Sequence, residues 1–270
     1  MKQSIFNKFR GIAYDKAGIS LGEQKKELVI ARVAKRQRAL NITDAAKYLE
    51  YLESPNHEEE LIHFLDAIST NFTHFMREKS HFELLEQEID IWKKSGRSRY
   101  RIWCAASSSG EEPYSIAITV ADAFQRNIPD VRILATDINT TVLKKASAGE
   151  YSGKAIDVFS KAQRLAYFTR LTERDAEDAV YRVKPEIRDL LVFKRLNLAQ
   201  PPFPMKGPID IVFCRNVMIY FDREVRQRLV SEIERLLAPG GLLMVGHSET
   251  LAGLQTGMKA MRPSVYRKVI

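Results

Sequence analysis

The sequence predicts an α/β fold with a mostly parallel sheet, preceded by an all-helical N-terminal domain. Three observations predict it. Over residues 1–95 glycine occurs only at Gly11, Gly18 and Gly22 and proline only at Pro55, so little there interrupts a helix. From residue 100 onward, short apolar runs alternate with helical stretches, the pattern of parallel strands covered by helices on both faces. The first apolar run then ends in a turn of small residues that opens into a helix, RIWCAASSSGEEPYSIAI, residues 101–118.

The elements follow in order. TDAAKYLEYLES (43–54) has a Thr43 or Asp44 cap and apolar residues at Ala45, Tyr48, Leu49 and Leu52, the spacing of one helix face. EELIHFLDAIST (59–70) repeats this with Leu61, Ile62, Leu65 and Ile68, and SHFELLEQEIDIWKK (80–94) with Phe82, Leu85, Ile89 and Trp92. KKSGRSR (93–99) is a polar joint. YRIWCA (100–105), VRILATD (131–137), LLVFKRLNL (190–198), IDIVFCRNVMIYF (209–221) and GLLMVGHSE (241–249) read as strands. Between them, EEPYSIAITVADAFQR (111–126) is a helix with Pro113 tolerated in its first turn, and NTTVLKKASAGEY (139–151) is another. DREVRQRLVSEIERLLAPGG (222–241) has an Asp222 cap and a Gly240–Gly241 stop. One stretch breaks the alternation. Residues 152–188 read as an inserted piece with a helix, the charged loop TERDAED (172–178) and a short hairpin. The expected domains are 1–80, helical, and 81–270, α/β.

The 270 residues are 45% hydrophobic, enough for a substantial core, and aromatic and charged fractions are ordinary for a folded chain. No apolar run approaches the roughly 20 residues of a membrane span, and the N-terminal residues lack the apolar segment of a secretory signal. No membrane insertion is therefore expected. Cys104 and Cys214 lie in apolar strand-like runs and read as buried thiols of a cytoplasmic protein. His57, His63, His74, His81 and His247 show no metal-ligand spacing, and no metal is expected. The net charge of +8 points weakly to an acidic partner.

Open α/β sheets bind ligands beyond the carboxyl ends of their strands, where the 105–110 turn lies. A pyrophosphate site there would need a Gly-x-Gly-x-x-Gly pattern, whereas this turn has Ala105, Ala106, three serines and only Gly110. The second strand ends in Asp137, suited to both ribose hydroxyls of a nucleoside. The expected ligand is a nucleoside without phosphates and with positive charge. S-adenosylmethionine fits, with Glu112 toward its cationic groups. Glu111 and Glu112 read equally as helix N-terminal acids that complement the dipole.

Four segments carry a family resemblance: NFTHFMRE (71–78), SSGEEPYSIA (108–117), ATDIN (135–139) and FCRNVMIYFD (213–222). In this order they resemble the CheR family, the S-adenosylmethionine-dependent chemoreceptor glutamate methyltransferases, over nearly the whole chain. Ser107, Cys104 and Asn139 depart from the common family residues and leave the matched ligand positions intact. The resemblance implies a Rossmann-like methyltransferase domain with an inserted β-subdomain. It implies cofactor contacts from Asn71, Thr73, Arg77, Glu112, Asp137, Asn197, Leu198, Arg215 and Asn216, and S-adenosylhomocysteine as product. Asn197 would read the adenine edge while Leu198 packs on its face. The alternatives are a helix cap for Asn71 and Thr73, a turn role for Asn197 and an ion pair for Arg215. NLAQPPFP (197–204) resembles the proline box of amino methyltransferases but precedes the wrong strand, so it reads as a connection.

The implied chemistry needs little acid–base help. A glutamate carboxylate, with a pKa of about 4.3, is already ionised at neutral pH. The protein must orient it and exclude water. Arg77 is the first candidate through paired hydrogen bonds and Tyr220 the second through its hydroxyl, with a core aromatic as the alternative for Tyr220. KKELVIARVAKRQRAL (25–40) places Lys25, Arg32 and Arg36 on one helix face, a docking face for the acidic cytoplasmic helices of chemoreceptors or simply a solvated one. The glycine-free loop of the inserted piece favours recognition independent of a receptor tether. Two competing readings remain: a methyltransferase for another protein or a small acid, and a basic nucleic-acid-binding protein. The latter lacks aromatic interleaving and any recognition motif, so no nucleic acid is expected.

Overall fold

The computed structural model describes residues 1–55, 57–172, 175 and 177–269. Four helices open the chain: α1 (Gln3–Ala17), α2 (Lys26–Ala39), α3 (Ala45–Glu53) and α4 (Glu58–Ile68). They close on their own core of Phe6, Phe9, Val33, Tyr48, Leu49 and Phe64. Asp44 caps α3, accepting from the amides of Ala46 and Lys47. α1 stops at Gly18, whose φ of 68° is left-handed and where a Cβ would lie 2.5 Å from the Ala199 side chain. That glycine brings the end of α1 against the second domain. There Asn197 Nδ2 donates to the Lys16 carbonyl at 2.7 Å and the Ser20 amide to the Tyr220 carbonyl at 2.8 Å.

Arg36 is not part of an open basic face. Its guanidinium grips the Glu60 carboxylate with two bonds of 3.0 and 2.6 Å, and Tyr48 donates to the same carboxylate at 2.6 Å. Glu60 is 5% exposed, so Arg36 is the counter-ion that allows it to be buried between α2 and α4. Helical spacing placed Arg36 beside Arg32, but the buried acid on the neighbouring helix turns it inward. Lys25 lies in a 3-10 turn before α2 and, like Arg32, is exposed.

α5 (Ser80–Ser95) leads into a seven-stranded sheet: β1 (Arg99–Cys104), β2 (Asp130–Asp137), β6 (Leu191–Arg195), β7 (Ile209–Cys214), β8 (Leu237–Val245), β9 (Met258–Arg262) and β10 (Val265–Lys268). The order is β6-β2-β1-β7-β8-β10-β9, parallel from β6 through β8, with β10 and β9 added antiparallel at one edge. Alternate strand residues build two cores. Ile102, Cys104, Ile133 and Phe213 face α5 and α6 (Glu111–Ala123). Trp103, Val212, Cys214 and Leu243 face α11 (Arg223–Leu236). Both cysteines are buried free thiols. No helix among the described residues is long and apolar enough to cross a membrane.

Between α7 (Thr140–Ala148) and β6 the inserted piece is richer than a helix and a hairpin. It is a three-stranded antiparallel sheet, order β3-β5-β4, of β3 (Glu150–Ser152), β4 (Phe168–Arg170) and β5 (Val180–Val183), with α8 (Gly153–Ile156), α9 (Lys161–Tyr167) and α10 (Pro185–Arg188). Glu173, Arg174 and Ala176 of its charged loop lie outside the described residues. Two boundaries also differ from the sequence reading. IDIVFCRNVMIYF is strand only to Cys214, because Arg215 turns into a buried ion pair and Asn216 is left-handed (φ 57°), after which Met218–Tyr220 form a 3-10 turn. α11 ends at Leu236, not at Gly240–Gly241, because Leu237 already pairs with Ile209 of β7 and the sheet takes over the backbone.

Candidate active site

β1 and β7 are neighbours with crossovers leaving in opposite directions, so a crevice opens above their carboxyl ends. One pocket fills it. All ten residues singled out in the sequence line it: Asn71, Thr73, Arg77, Glu112, Asp137, Asn197, Leu198, Arg215, Asn216 and Tyr220. The opposite wall comes from the helical domain, through Ala17, Ile19, Ser20, Leu21, Lys25 and Leu28. Lys25 is therefore at the pocket as well as on the surface.

Asp137 ends β2 and is 9% exposed. Its Oδ2 accepts from the Ser108 amide at 2.8 Å and its Oδ1 from the Asn139 amide at 2.9 Å. Burial pushes its carboxyl up, and the two amides pull it back. Each oxygen keeps a lone pair, so a vicinal diol can donate to both. The 105–110 turn that supplies the Ser108 amide is itself tied down. The Ser108 hydroxyl donates to the Asn71 carbonyl at 2.9 Å, and Ser108 is left-handed with φ 46°.

Arg215 has a fully buried side chain and few donors left for a ligand. Its Nη1 donates to Glu112 Oε2 at 2.7 Å, and its Nη2 to Glu78 Oε2 at 3.0 Å and to the Arg77 carbonyl at 2.5 Å. The ion-pair alternative thus describes its contacts. It clamps the 71–79 segment to α6. Glu112 is buried too, bonded by Arg215 and by the Cys104 thiol at 3.2 Å. Burial raises the Glu112 carboxyl, opposed by the Arg215 charge. Burial also acts upward on Glu78, but Arg215, the His247 amide and Asn216 outweigh it and hold Glu78 below the ordinary carboxylate range.

Arg77 is different. Its guanidinium makes one hydrogen bond, to the Phe72 carbonyl at 3.1 Å, and no ion pair among the described residues. The Arg77–Glu78 carbonyl and carboxylate anchors on Arg215 fix its backbone, so a free cation sits on a rigid support. Asn71 and Thr73 cap no helix, since α5 begins only at Ser80. The Thr73 and Tyr220 hydroxyls have no partner among the described residues. The carboxamide of Asn197 is occupied, donating to Lys16 and accepting from the Ala199 amide at 3.1 Å. One N–H and one lone pair of that carboxamide stay open, so the side chain is held in place with part of its hydrogen-bonding capacity left. The backbone amides of Asn197 and Leu198 donate to no group among the described residues, which leaves them for an adenine edge.

Two features escaped the sequence reading. The Gly18–Leu21 segment is an entire wall, with only its glycine as a signal. Glu78, next to Arg77, is the acid that fixes Arg215. It was legible only as the last letter of NFTHFMRE.

The family model described as CheR methyltransferase, SAM binding domain, matches residues 71–266, and the CheR methyltransferase all-alpha domain matches residues 4–69. A chemotaxis protein methyltransferase of Klebsiella aerogenes is 38% identical over 266 residues, covering 98% of this chain and 90% of that protein. That of Escherichia coli is 38% identical, covering 98% and 91%. Chemotaxis protein methyltransferase 2 of Pseudomonas aeruginosa is 39% identical over 263 residues, covering 97% and 91%.

Proposed function

The chain belongs to the CheR methyltransferase family, S-adenosylmethionine-dependent enzymes of chemotaxis, and on that premise we propose that it esterifies glutamate side chains on the cytoplasmic helices of chemoreceptors. One observation carries the choice of a carboxylate acceptor. Among the described residues Arg77 is a guanidinium on the pocket wall with no ion-pair partner, and the pocket lining contains no histidine. The acids among the described residues lining it, Glu112 and Asp137, are already hydrogen-bonded. An amine or alcohol acceptor would need a base to take its proton. A glutamate arrives ionised, and a guanidinium orients it with two parallel bonds.

The pocket fits the cofactor. Asp137 accepts from the ribose diol, the Asn197 and Leu198 amides meet the adenine edge, and Glu112 faces the cationic end. Bound S-adenosylmethionine supplies the electrophilic methyl group. Arg77, with the Tyr220 hydroxyl beside it, holds the acceptor carboxylate in line, and the Ile19–Leu21 wall keeps water out. Product release leaves S-adenosylhomocysteine and a neutral ester.

Docking uses Lys25 and Arg32, both exposed, with Arg36 excluded as internal. Such charges act mostly on encounter and register. The substrate helices place the reaction in the cytoplasm. Incubation with tritiated cofactor and receptor cytoplasmic fragments tests the proposal: base-labile methanol from the labelled fragment is expected. Label that survives base would show an amine or thioether product and end it.

A further inference from the structure

The geometry points to a transition-metal site outside the cofactor pocket, built from Glu78, His81 and His247. One ligand atom from each lies within 4.8 Å of the other two. His81 Nδ1 is 3.6 Å and His247 Nε2 4.0 Å from Glu78 Oε2. A tetrahedral ion with bonds of about 2.1 Å wants its ligands about 3.4 Å apart, so the three need to close by about 1.5 Å at most.

His81 is the independent reason to look there. It is 1% exposed, and neither ring nitrogen has a hydrogen-bond partner among the described residues. A buried imidazole without partners is costly and needs an explanation. With neither ring nitrogen engaged, a neutral imidazole here keeps a lone pair for a metal. Glu78 is ionised. Its other contacts, Arg215 and the side-chain Nδ2 of Asn216, resemble the outer hydrogen bonds that orient a ligating carboxylate. His247 is 54% exposed and gives the ion a path from solvent. Ser80 Oγ lies 3.3 Å from His247 Nε2 and adds an oxygen at the rim.

The ion's class follows from the ligands and the surrounding charges. Two imidazoles favour zinc or cobalt over calcium or magnesium, which prefer all-oxygen shells. Arg215 and Arg262 both act on His81 and oppose a dication, which only strong imidazole ligation overcomes. A bound ion would tie α5 and the 246–249 turn to Glu78, next to Arg77.

The test uses the full chain without cofactor or receptor, titrated with Zn²⁺ against a chromogenic chelator and with Co²⁺ by visible absorption. One ion per chain is expected, with the visible bands of a nitrogen-ligated tetrahedral Co²⁺ centre. His247→Ala, at an exposed position and checked by circular dichroism, should weaken Zn²⁺ at least tenfold. No stoichiometric uptake by the wild-type chain overturns the site. So does a His247→Ala protein that loses less than tenfold, since the ion would then sit on other groups such as His63 with Glu59.

Discussion

Replacing Arg77 by alanine should separate transfer from folding. Among the described residues its guanidinium has a single hydrogen bond, at 3.1 Å to a backbone carbonyl, and no acid. Removing it should therefore cost less than about 1 kcal/mol of stability. The neighbouring Arg215 gives the contrast. Its side chain is fully buried and pairs with both Glu78 and Glu112, so Arg215→Ala strands the buried Glu112 carboxylate and the partly buried Glu78 and should cost about 3–5 kcal/mol. For methyl transfer the ranking reverses in kind. A preorganised charge-assisted contact to the reacting carboxylate is worth about 10²–10³ in rate, or about 2.7–4 kcal/mol. The assay is single-turnover methyl transfer to a receptor fragment with saturating cofactor, alongside urea unfolding of each variant. Arg77→Ala should unfold near the wild-type midpoint and transfer 10²–10³ more slowly. Arg77→Lys should recover only part of the rate, since an ammonium lacks the planar fork. A folded Arg77→Ala protein with wild-type transfer would refute the role and leave Tyr220 as the orienting group, testable with Tyr220→Phe.

Asp137→Ala removes acceptors for the ribose diol, and cofactor affinity by calorimetry should fall at least about tenfold. The Ser108 and Asn139 amides lose their acceptor as well, so a lower melting temperature should accompany it. Arg36→Ala should lower stability by about 3 kcal/mol or more in urea unfolding, because Glu60 is left buried without its counter-ion. Its unfolding midpoint should therefore fall, whereas Arg32→Glu should leave stability alone and raise the receptor KM, with a defect that shrinks as salt rises. The rate profile should stay level from about pH 6 upward, with no limb near neutrality, because the acceptor ionises near pH 4.3 and none of the described residues lining the pocket is a histidine.

The periodicities of residues 43–54 and 80–94 determined two helices and their buried faces, since a 3.6-residue period leaves little choice of inward residues. The acidic end of VRILATD and the glycine-poor turn before EEPYSIA determined a nucleoside site without phosphates, because strand ends and helix starts meet at one edge of a parallel sheet. Asn71, Thr73, Arg77, Asn197, Leu198, Arg215 and Asn216 came from the family resemblance instead, and the fold brings them to one pocket. Which of them still has a free hydrogen-bonding group was not legible. Arg77 and Arg215 look alike in a string of letters. Only the packing of Glu78 and Glu112 against Arg215 makes one an internal clamp and leaves the other open. The ion pair of Arg36 was illegible for the same reason, its partner Glu60 arriving from another helix. Asn197 keeps its place at the pocket while α1 claims its side chain. Local sequence determines periodicity and turn chemistry within a few residues. Ion pairing and burial are settled between residues far apart in the chain, and here they decide which of the pocket's charged groups remain available to act.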